Sequence, residues 1–118
     1  MTIDEFFGDA VLARALFEAL AAEIERLGEA SVRVGKSQVA FRRRKNVAVV
    51  WLPGKYLKPP VAPLVLTLSL PKGDDSPRWK QITRVGPKRF THHLELHSLE
   101  DIDAQVSGWL QAAWKAAA

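Results

Sequence analysis

The sequence predicts an α+β fold: a mainly antiparallel sheet of five or six strands, with an N-terminal and a C-terminal helix packed on one of its faces. Two segments with apolar residues at helical spacing, Asp9–Leu27 and Ser98–Trp114, lie towards the two ends of the chain. Between them are short β-branched or alternating runs, of which Leu64–Leu70 is the most regular. The 118 residues are enough for one globular domain, spanning residues 1–118.

The N-terminal part is predicted to form a short helical turn and then a long helix. Thr2 and Glu5 have the spacing of a capping box. Asp9 can cap the long helix, and Gly28 can end it because glycine adopts positive φ without steric cost. The residues predicted to face the core recur every three or four positions: Leu12, Leu16, Ala19, Leu20, Ile24 and Leu27.

A hairpin around four consecutive cations, Arg42–Lys45, is predicted to form the middle of the sheet. Ser31–Val34 alternates as a short strand before it, and Val39–Phe41 and Val47–Leu52 supply the two arms. If the turn has an even number of residues, a purely apolar set faces the helices: Val39, Phe41, Ala48, Val50 and Leu52. The opposite face then mixes cations with an aromatic side chain: Lys36, Gln38, Ala40, Arg42, Val47, Val49 and Trp51.

The rest of the chain completes the sheet and returns to a helix. Pro53–Pro63 holds four prolines and is predicted to be a loop, followed by the alternating strand Leu64–Leu70 with its leucines facing inward. Lys80–Val85 and Phe90–Leu96 are predicted as the last two strands. Ser98–Asp101 fits the start of the final helix. Its predicted buried stripe is Ile102, Val106, Trp109, Leu110 and Ala113.

Composition favours a cytoplasmic protein. There is no cysteine, which fits a reducing compartment and excludes disulfides and thiolate chemistry. The first residues, MTIDEFFGD, are acidic where a signal peptide is basic. No apolar run approaches the roughly 20 residues that cross a bilayer, so we expect no membrane insertion.

The net charge of +4 hides an uneven distribution along the chain. Residues 31–97 hold fourteen Lys and Arg against three Asp and Glu, a net charge of +11. The flanking segments are acidic, with −5 over residues 1–30 and −2 over residues 98–118. Either acidic helices lie against a basic sheet and the fields partly cancel, or one face or rim of the sheet attracts an anion.

Several segments together resemble a known family: GKSQVAFRRRKNVAVVWLPGKYL, APLVLTLSLP, SPRWKQI, RFTHHLEL and DIDAQVSGWLQAAW. The distinguishing pieces are Lys36-Ser37 four residues before Phe41, His92, and a Trp-rich final helix with an acidic start. The chain is similar to an uncharacterised bacterial family, the domain of unknown function numbered 5655, over about residues 6–114. Some relatives are labelled predicted transport protein. The resemblance implies a compact α+β domain and supplies no reaction and no catalytic residue.

We expect neither a metal nor a cofactor. His92 and His93 are neighbours in a strand and point to opposite faces, so they cannot share a metal ion. Asp74 and Asp75 stand beside Gly and Ser, which is typical of a turn. With three carboxylates in residues 31–97, Mg²⁺-dependent nuclease chemistry is disfavoured.

The leading functional hypothesis is a non-enzymatic binding module whose basic sheet face accepts an anionic ligand or nucleic acid. Lys58 and Lys88 belong to the same pattern of interleaved cations and aromatics. The candidate ligand-binding residues are Lys36, Ser37, Arg42, Arg44, Trp51, Tyr56, Trp79, Arg84 and His92.

Two other classes of function stay open. A small enzyme or small-molecule pocket would use His92 with Lys36 and Ser37, and it requires these side chains to converge. A structural or oligomerising protein would use the apolar final helix with Trp109 and Trp114. The interleaved cations and aromatics would also suit a protein partner.

Overall fold

The computed structural model describes residues 1–118 and confirms the predicted α+β fold, with a six-stranded antiparallel sheet and helices from both ends of the chain. The strand order is β1-β2-β3-β4-β6-β5. The helices are α1 (Ile3–Phe7), α2 (Val11–Leu27) and α3 (Ala104–Ala116). The strands are β1 (Ser31–Val34), β2 (Val39–Arg42), β3 (Asn46–Trp51), β4 (Leu64–Leu70), β5 (Gln81–Gly86) and β6 (Arg89–Leu96). Two 3₁₀ turns cover Pro53–Lys55 and Leu99–Asp101.

The helices cover one side of the sheet, here called the covered face; the other side is called the open face. Alternation along β4 decides which residues point to which side, because successive side chains of a strand point in opposite directions. The four leucines of β4 are buried in the core, as predicted. Their partners across the sheet are apolar except for His92, which lies opposite Leu68: Ala48 and Val50 on β3, and Phe90, Leu94 and Leu96 on β6. Phe41 extends the core towards the edge, where its ring stacks on Phe17 of α2.

A bulge in the β2–β3 hairpin changes one predicted side-chain direction. Val39 pairs with Val50 and Phe41 with Ala48, so both pairs face the helices as predicted. The turn itself has three residues, not an even number, and the bulge compensates for the difference. Beyond Phe41 the register shifts. Val47, predicted for the open face, lies instead in the hydrophobic core with no exposed surface. The shift places one extra residue in the β3 arm, which frees Val47 from strict alternation.

The ends of the helices follow the sequence signals in part. Thr2 and Glu5 form the predicted capping box of α1. The cap predicted for Asp9 is not made, since α2 begins after Ala10 without a side-chain hydrogen bond. Ser98 forms a capping box with Asp101, but it starts the 3₁₀ turn; Asp103 caps α3.

Gly28 ends α2 at a point of close packing with α3. Its φ is +151°, a conformation that residues with a side chain rarely adopt. A Cβ atom at this position would lie 2.5 Å from Cζ2 of Trp114. The absence of a side chain at Gly28 therefore lets the indole of α3 lie directly against the end of α2.

Candidate functional site

A cleft lined by cations lies at one end of the sheet. Because the sheet is antiparallel, four strand ends meet there: the end of β2, the start of β3, the end of β4 and the start of β6. The residues of this cationic cleft come from these ends, from the adjoining turns and from the last turn of α3: Arg42, Lys45, Asn46, Ser69, Leu70, Pro71, Lys88, Arg89 and Ala116. Its volume is about 390 Å³.

The electrostatics of the cationic cleft favour an anion. Four of its nine lining residues are Lys or Arg, and none is Asp or Glu. The ion pairs of the protein involve other cations, namely Arg14, Arg26 and Arg78. Lys45, Lys88 and Arg89 are exposed, and Arg42 is half-buried. Four like charges near one another repel, and a bound anion would relieve that repulsion.

The turn between β2 and β3 is fixed against the C-terminal end of α3. The backbone N–H groups of Arg44 and Lys45 both donate to the Ala117 carbonyl, at 3.1 and 3.0 Å. The Arg43 guanidinium donates to the Trp114 carbonyl at 2.8 Å and lies 3.5 Å above the indole ring. These bonds satisfy carbonyls that a helix end leaves unpaired, and the cation interacts favourably with the helix dipole. The predicted run of cations is therefore divided: Arg43 is structural, whereas Arg42 and Lys45 line the cleft.

A second, shallower cleft lies on the open face and contains two aromatic rings. The residues of this aromatic cleft are Ser37, Gln38, Val49, Trp51, Tyr56, Thr67 and His93. Its volume is about 300 Å³, and it holds neither Lys, Arg, Asp nor Glu. The centroids of Trp51 and Tyr56 are 6.3 Å apart, with an interplanar angle of 50°. The Tyr56 side chain is exposed, whereas Trp51 is half-buried.

His93 supplies a polar group at the base of the aromatic cleft. Its Nδ1 lies 2.8 Å from Oγ1 of Thr67, the residue opposite it on β4. Burial, helped by the adjacent His92, lowers the pKa of His93 below its ordinary value. The imidazole is therefore neutral near pH 7, and its Nε2 has no hydrogen-bond partner within the protein.

His92, on the opposite side of the same strand, is a structural residue. It is completely buried, and both ring nitrogens are used within the chain. Nδ1 donates to the Phe90 carbonyl at 3.0 Å, and Nε2 accepts from the backbone N–H of Asp74 at 3.0 Å. These two bonds fix one neutral tautomer and hold the turn after β4 against the core.

Trp79 completes this buried cluster. Its indole N–H donates to Oδ2 of Asp74 at 2.8 Å, and this bond is the main reason that the pKa of Asp74 lies below its ordinary value. The ring contacts His92 edge-on at 4.8 Å and packs against Trp109 at 4.1 Å between centroids. Trp79 and Trp109 are each only 8% exposed, so the apolar surface of both is used inside the protein.

The structure separates the predicted ligand-binding residues into groups. Ser37, Trp51 and Tyr56 meet in the aromatic cleft, and Arg42 lines the cationic cleft. The others line neither cleft: Lys36 and Arg44 are exposed in turns, Arg84 lies on the edge strand β5, and Trp79 and His92 are buried.

Two predicted arrangements differ from the geometry. His92 points into the core while Ser37 lines a cleft on the open face, so the pocket of His92 with Lys36 and Ser37 is not formed. The cations do not cover the middle of the open face either. The outward residues there are mostly uncharged: Val49, Trp51, Val65, Thr67, Ser69, Thr91, His93 and Glu95. Most of the cations lie in the segments between strands, and those of the cationic cleft lie at one end of the sheet.

Sequence reasoning missed Lys45, Arg89, Thr67 and His93. Lys45 and Arg89 are far apart in the chain and meet only because the β2–β3 and β5–β6 turns lie at the same edge. That adjacency depends on the strand order, which no local pattern gives. His93 had a usable signal, since alternation places it with Thr67 on the face opposite the leucines.

A third cavity, between the end of α2 and the edge of the sheet, carries charges of both signs. Its volume is about 830 Å³, and Glu25 and Glu29 line it together with Arg42 and Arg43. The mixed charge gives it no preference for an anion, in contrast to the cationic cleft. None of the three helices is long and apolar enough to cross a membrane.

Comparison with known proteins identifies the family and nothing beyond it. Neither the curated proteins nor the solved structures gave a match. The family model for "Domain of unknown function (DUF5655)" matches residues 3–117, nearly the whole chain, and includes both clefts and all three helices. The predicted resemblance is thereby confirmed, and the chain belongs to this family, the domain of unknown function 5655.

Proposed function

We propose that this protein is a non-enzymatic binding module that holds an anionic ligand in the cationic cleft. The observation that carries the proposal is the charge of its lining: Arg42, Lys45, Lys88 and Arg89 converge with no carboxylate among them. A cluster of cations that lack ion-pair partners is electrostatically unfavourable by itself, and an anion with several oxygens would compensate it. The polar groups of Asn46 and Ser69 add hydrogen-bonding capacity at the same place.

The supporting structure around the cleft is suited to binding. Arg42 extends from a strand, and Lys45 lies in a turn whose backbone is hydrogen-bonded to Ala117, the residue that follows the last helix. Binding groups carried by ordered backbone lose less conformational entropy when a ligand arrives. Arginine, with its planar fork of donors, matches the geometry of phosphate and carboxylate groups.

The test is a calorimetric titration with inorganic tripolyphosphate, a simple polyanion, at low and at moderate salt. We expect saturable binding that weakens as salt rises, because the contacts are ionic. Reversing one cleft cation in Lys88→Glu should weaken binding by about tenfold or more, given that a charge-assisted hydrogen bond is worth roughly 1.5–3 kcal/mol.

The matched control is Arg26→Glu, which makes the same change in net charge at an exposed position on α2, away from the cleft. It should leave the affinity close to that of the unaltered protein. Absence of binding at low salt, or equal losses in the two variants, would contradict a specific anion site.

A further inference from the structure

The cationic cleft and the aromatic cleft adjoin each other on three neighbouring strands. β4 contributes Ser69 to the cationic cleft and Thr67 to the aromatic cleft. These two residues point to the same face and are separated by one residue, so they lie about 7 Å apart. The strands on either side, β3 and β6, likewise contribute a residue to each cleft. A single small ligand can therefore contact both clefts at once.

The two clefts differ in the chemistry they select. The cationic cleft has four positive side chains, whereas the aromatic cleft contains no Lys, Arg, Asp or Glu. The rings of Trp51 and Tyr56 offer π-faces on which a flat ring can stack. The size of the aromatic cleft, about 300 Å³, is at the small end of ligand pockets and suits one ring system.

Polar groups in the aromatic cleft can recognise the edge of such a ring. Nε2 of His93 has no partner in the protein, and the neutral imidazole offers either a donor or an acceptor there according to its tautomer. The Gln38 amide provides both a donor and an acceptor, and the Ser37 hydroxyl does the same. Donors and acceptors beside an aromatic platform match a nitrogen heterocycle better than a purely hydrocarbon ring.

We infer that the ligand is a nucleotide, with its base in the aromatic cleft and its phosphate in the cationic cleft. This inference rests on the proposed anion-binding function and assigns a ligand class to it. A base that contacts His93 beside Thr67 can be joined through its sugar to a phosphate beside Ser69. Trp51 lies opposite Val65, about 7 Å further along the strand. The same unit occurs in a free nucleotide and in single-stranded nucleic acid, and affinity for each distinguishes these two sources.

The experiment compares adenosine 5′-monophosphate with ribose 5-phosphate, which has the same phosphate and sugar but no base. Trp51 is the only tryptophan in either cleft, so its fluorescence reports occupation of the aromatic cleft. We expect the nucleotide to bind about tenfold or more tightly than ribose 5-phosphate, in line with the contribution of one stacked base. Trp51→Phe leaves a smaller ring for stacking, so it should weaken nucleotide binding modestly and lose most of the fluorescence change.

Two variants test the contributions of the two clefts to binding separately. Tyr56→Ala alters a side chain in a residue that is 57% exposed, so folding should be unaffected. It should weaken nucleotide binding several-fold and leave ribose 5-phosphate binding unchanged. Lys88→Glu should weaken both ligands, since both use the phosphate site. Near-ultraviolet circular dichroism of each variant provides the check that the fold is intact.

The outcomes distinguish this inference from the proposed function. Equal affinities for the nucleotide and ribose 5-phosphate would overturn the base site and leave the anion site standing. If tripolyphosphate and both sugar phosphates fail to bind at low salt, the anion-binding function is itself wrong. A labelled six-residue oligonucleotide that binds far more tightly than the mononucleotide, with a steep salt dependence, would identify nucleic acid as the source. Similar affinities would identify the free nucleotide.

Discussion

The two faces of the sheet carry the same pair of ring systems, an indole and an imidazole, and place them in opposite environments. On the covered face Trp79 and His92 are buried, and each polar ring atom has a partner within the chain. On the open face Trp51 and His93 line a cleft, and Nε2 of His93 has no such partner. Residues of the same type thus stabilise the fold on one face and are available to a ligand on the other.

The difference comes from what covers each face. α3 packs against β3 and β4 on the covered face, and the turn around Asp74 closes over His92. No helix lies over the open face. A buried polar group without a partner costs about 1–3 kcal/mol, so nearly all buried side-chain donors and acceptors on the covered side are bonded, with Nε1 of Trp114 as the exception. The open face is under no such requirement, because water can solvate its polar groups.

The largest expected effect is that of His92→Ala. The substitution leaves the Asp74 N–H and the Phe90 carbonyl without their partner and creates a cavity beside Trp79. We expect a loss of about 3 kcal/mol or more in the free energy of unfolding, measured by urea denaturation. The comparison predicts that His93→Ala, one residue away, costs less than about 1 kcal/mol. Similar losses for the two variants would contradict the division of roles between the faces.

Gly28→Ala tests the packing beneath the covered face without touching either histidine. The new Cβ would lie 2.5 Å from Cζ2 of Trp114, and the residue would keep a φ of +151°. Both effects are unfavourable, and we expect a loss of about 2 kcal/mol in the free energy of unfolding. Gly108→Ala is the control, because nothing lies within 4 Å of its added Cβ and alanine favours a helix. It should be neutral or slightly stabilising.

Trp79→Phe tests the contribution of a single hydrogen bond on the covered face. It keeps an aromatic ring against Trp109 and removes the N–H that binds Asp74. We expect destabilisation of about 1–2 kcal/mol and a rise in the pKa of Asp74 towards its ordinary value, detected by carboxyl titration in NMR spectra. Trp51→Phe on the open face should change stability much less. A pKa of Asp74 that stays low in Trp79→Phe would show that another group controls it.

The smallest expected effect is a pH dependence carried by His93. Its pKa is lower in the folded protein than in the unfolded chain, so the unfolded chain takes up a proton first as pH falls. The protein should therefore keep its full stability above the unfolded pKa of ~6.5 and lose part of it as pH falls through the lowered folded value. His93→Gln should reduce this loss between pH 7 and pH 5, measured by urea denaturation at each pH. An unchanged pH profile would assign the dependence to another group.

Local patterns predicted most of the fold because its elements are amphipathic. The leucines of β4 and the stripe of α3 fix which side of each element is buried. The structure confirms both, except that Ile102 precedes α3 and is half-buried. Trp79 was predicted to be a ligand-binding residue and is instead buried against Trp109. Its partner lies thirty residues away in α3, so no local pattern indicates the contact. The position of Val47 depended on a bulge, which has no clear signature in Arg42–Asn46.

The candidate site was harder to predict than the fold. Trp51 and Tyr56, both predicted as candidate ligand-binding residues, share a cleft because the loop after β3 folds back. Lys45 and Arg89 are brought together only by the arrangement of distant turns. The charge distribution located the excess of cations in residues 31–97. Their position at one end of the strands could be seen only from the sheet topology.

The cationic cleft takes its final shape only after the C-terminal part of the chain has folded, because the β2–β3 turn is attached to the end of α3. The contact between Arg43 and Trp114 joins residues 71 positions apart, so the turn is held only after the last helix has left the ribosome and docked. Helix termini also fray, and opening of the last turn at Ala117 would release the amides of Arg44 and Lys45. The backbone bonds that position Lys45 therefore form late in folding, and they depend on the end of α3 staying helical.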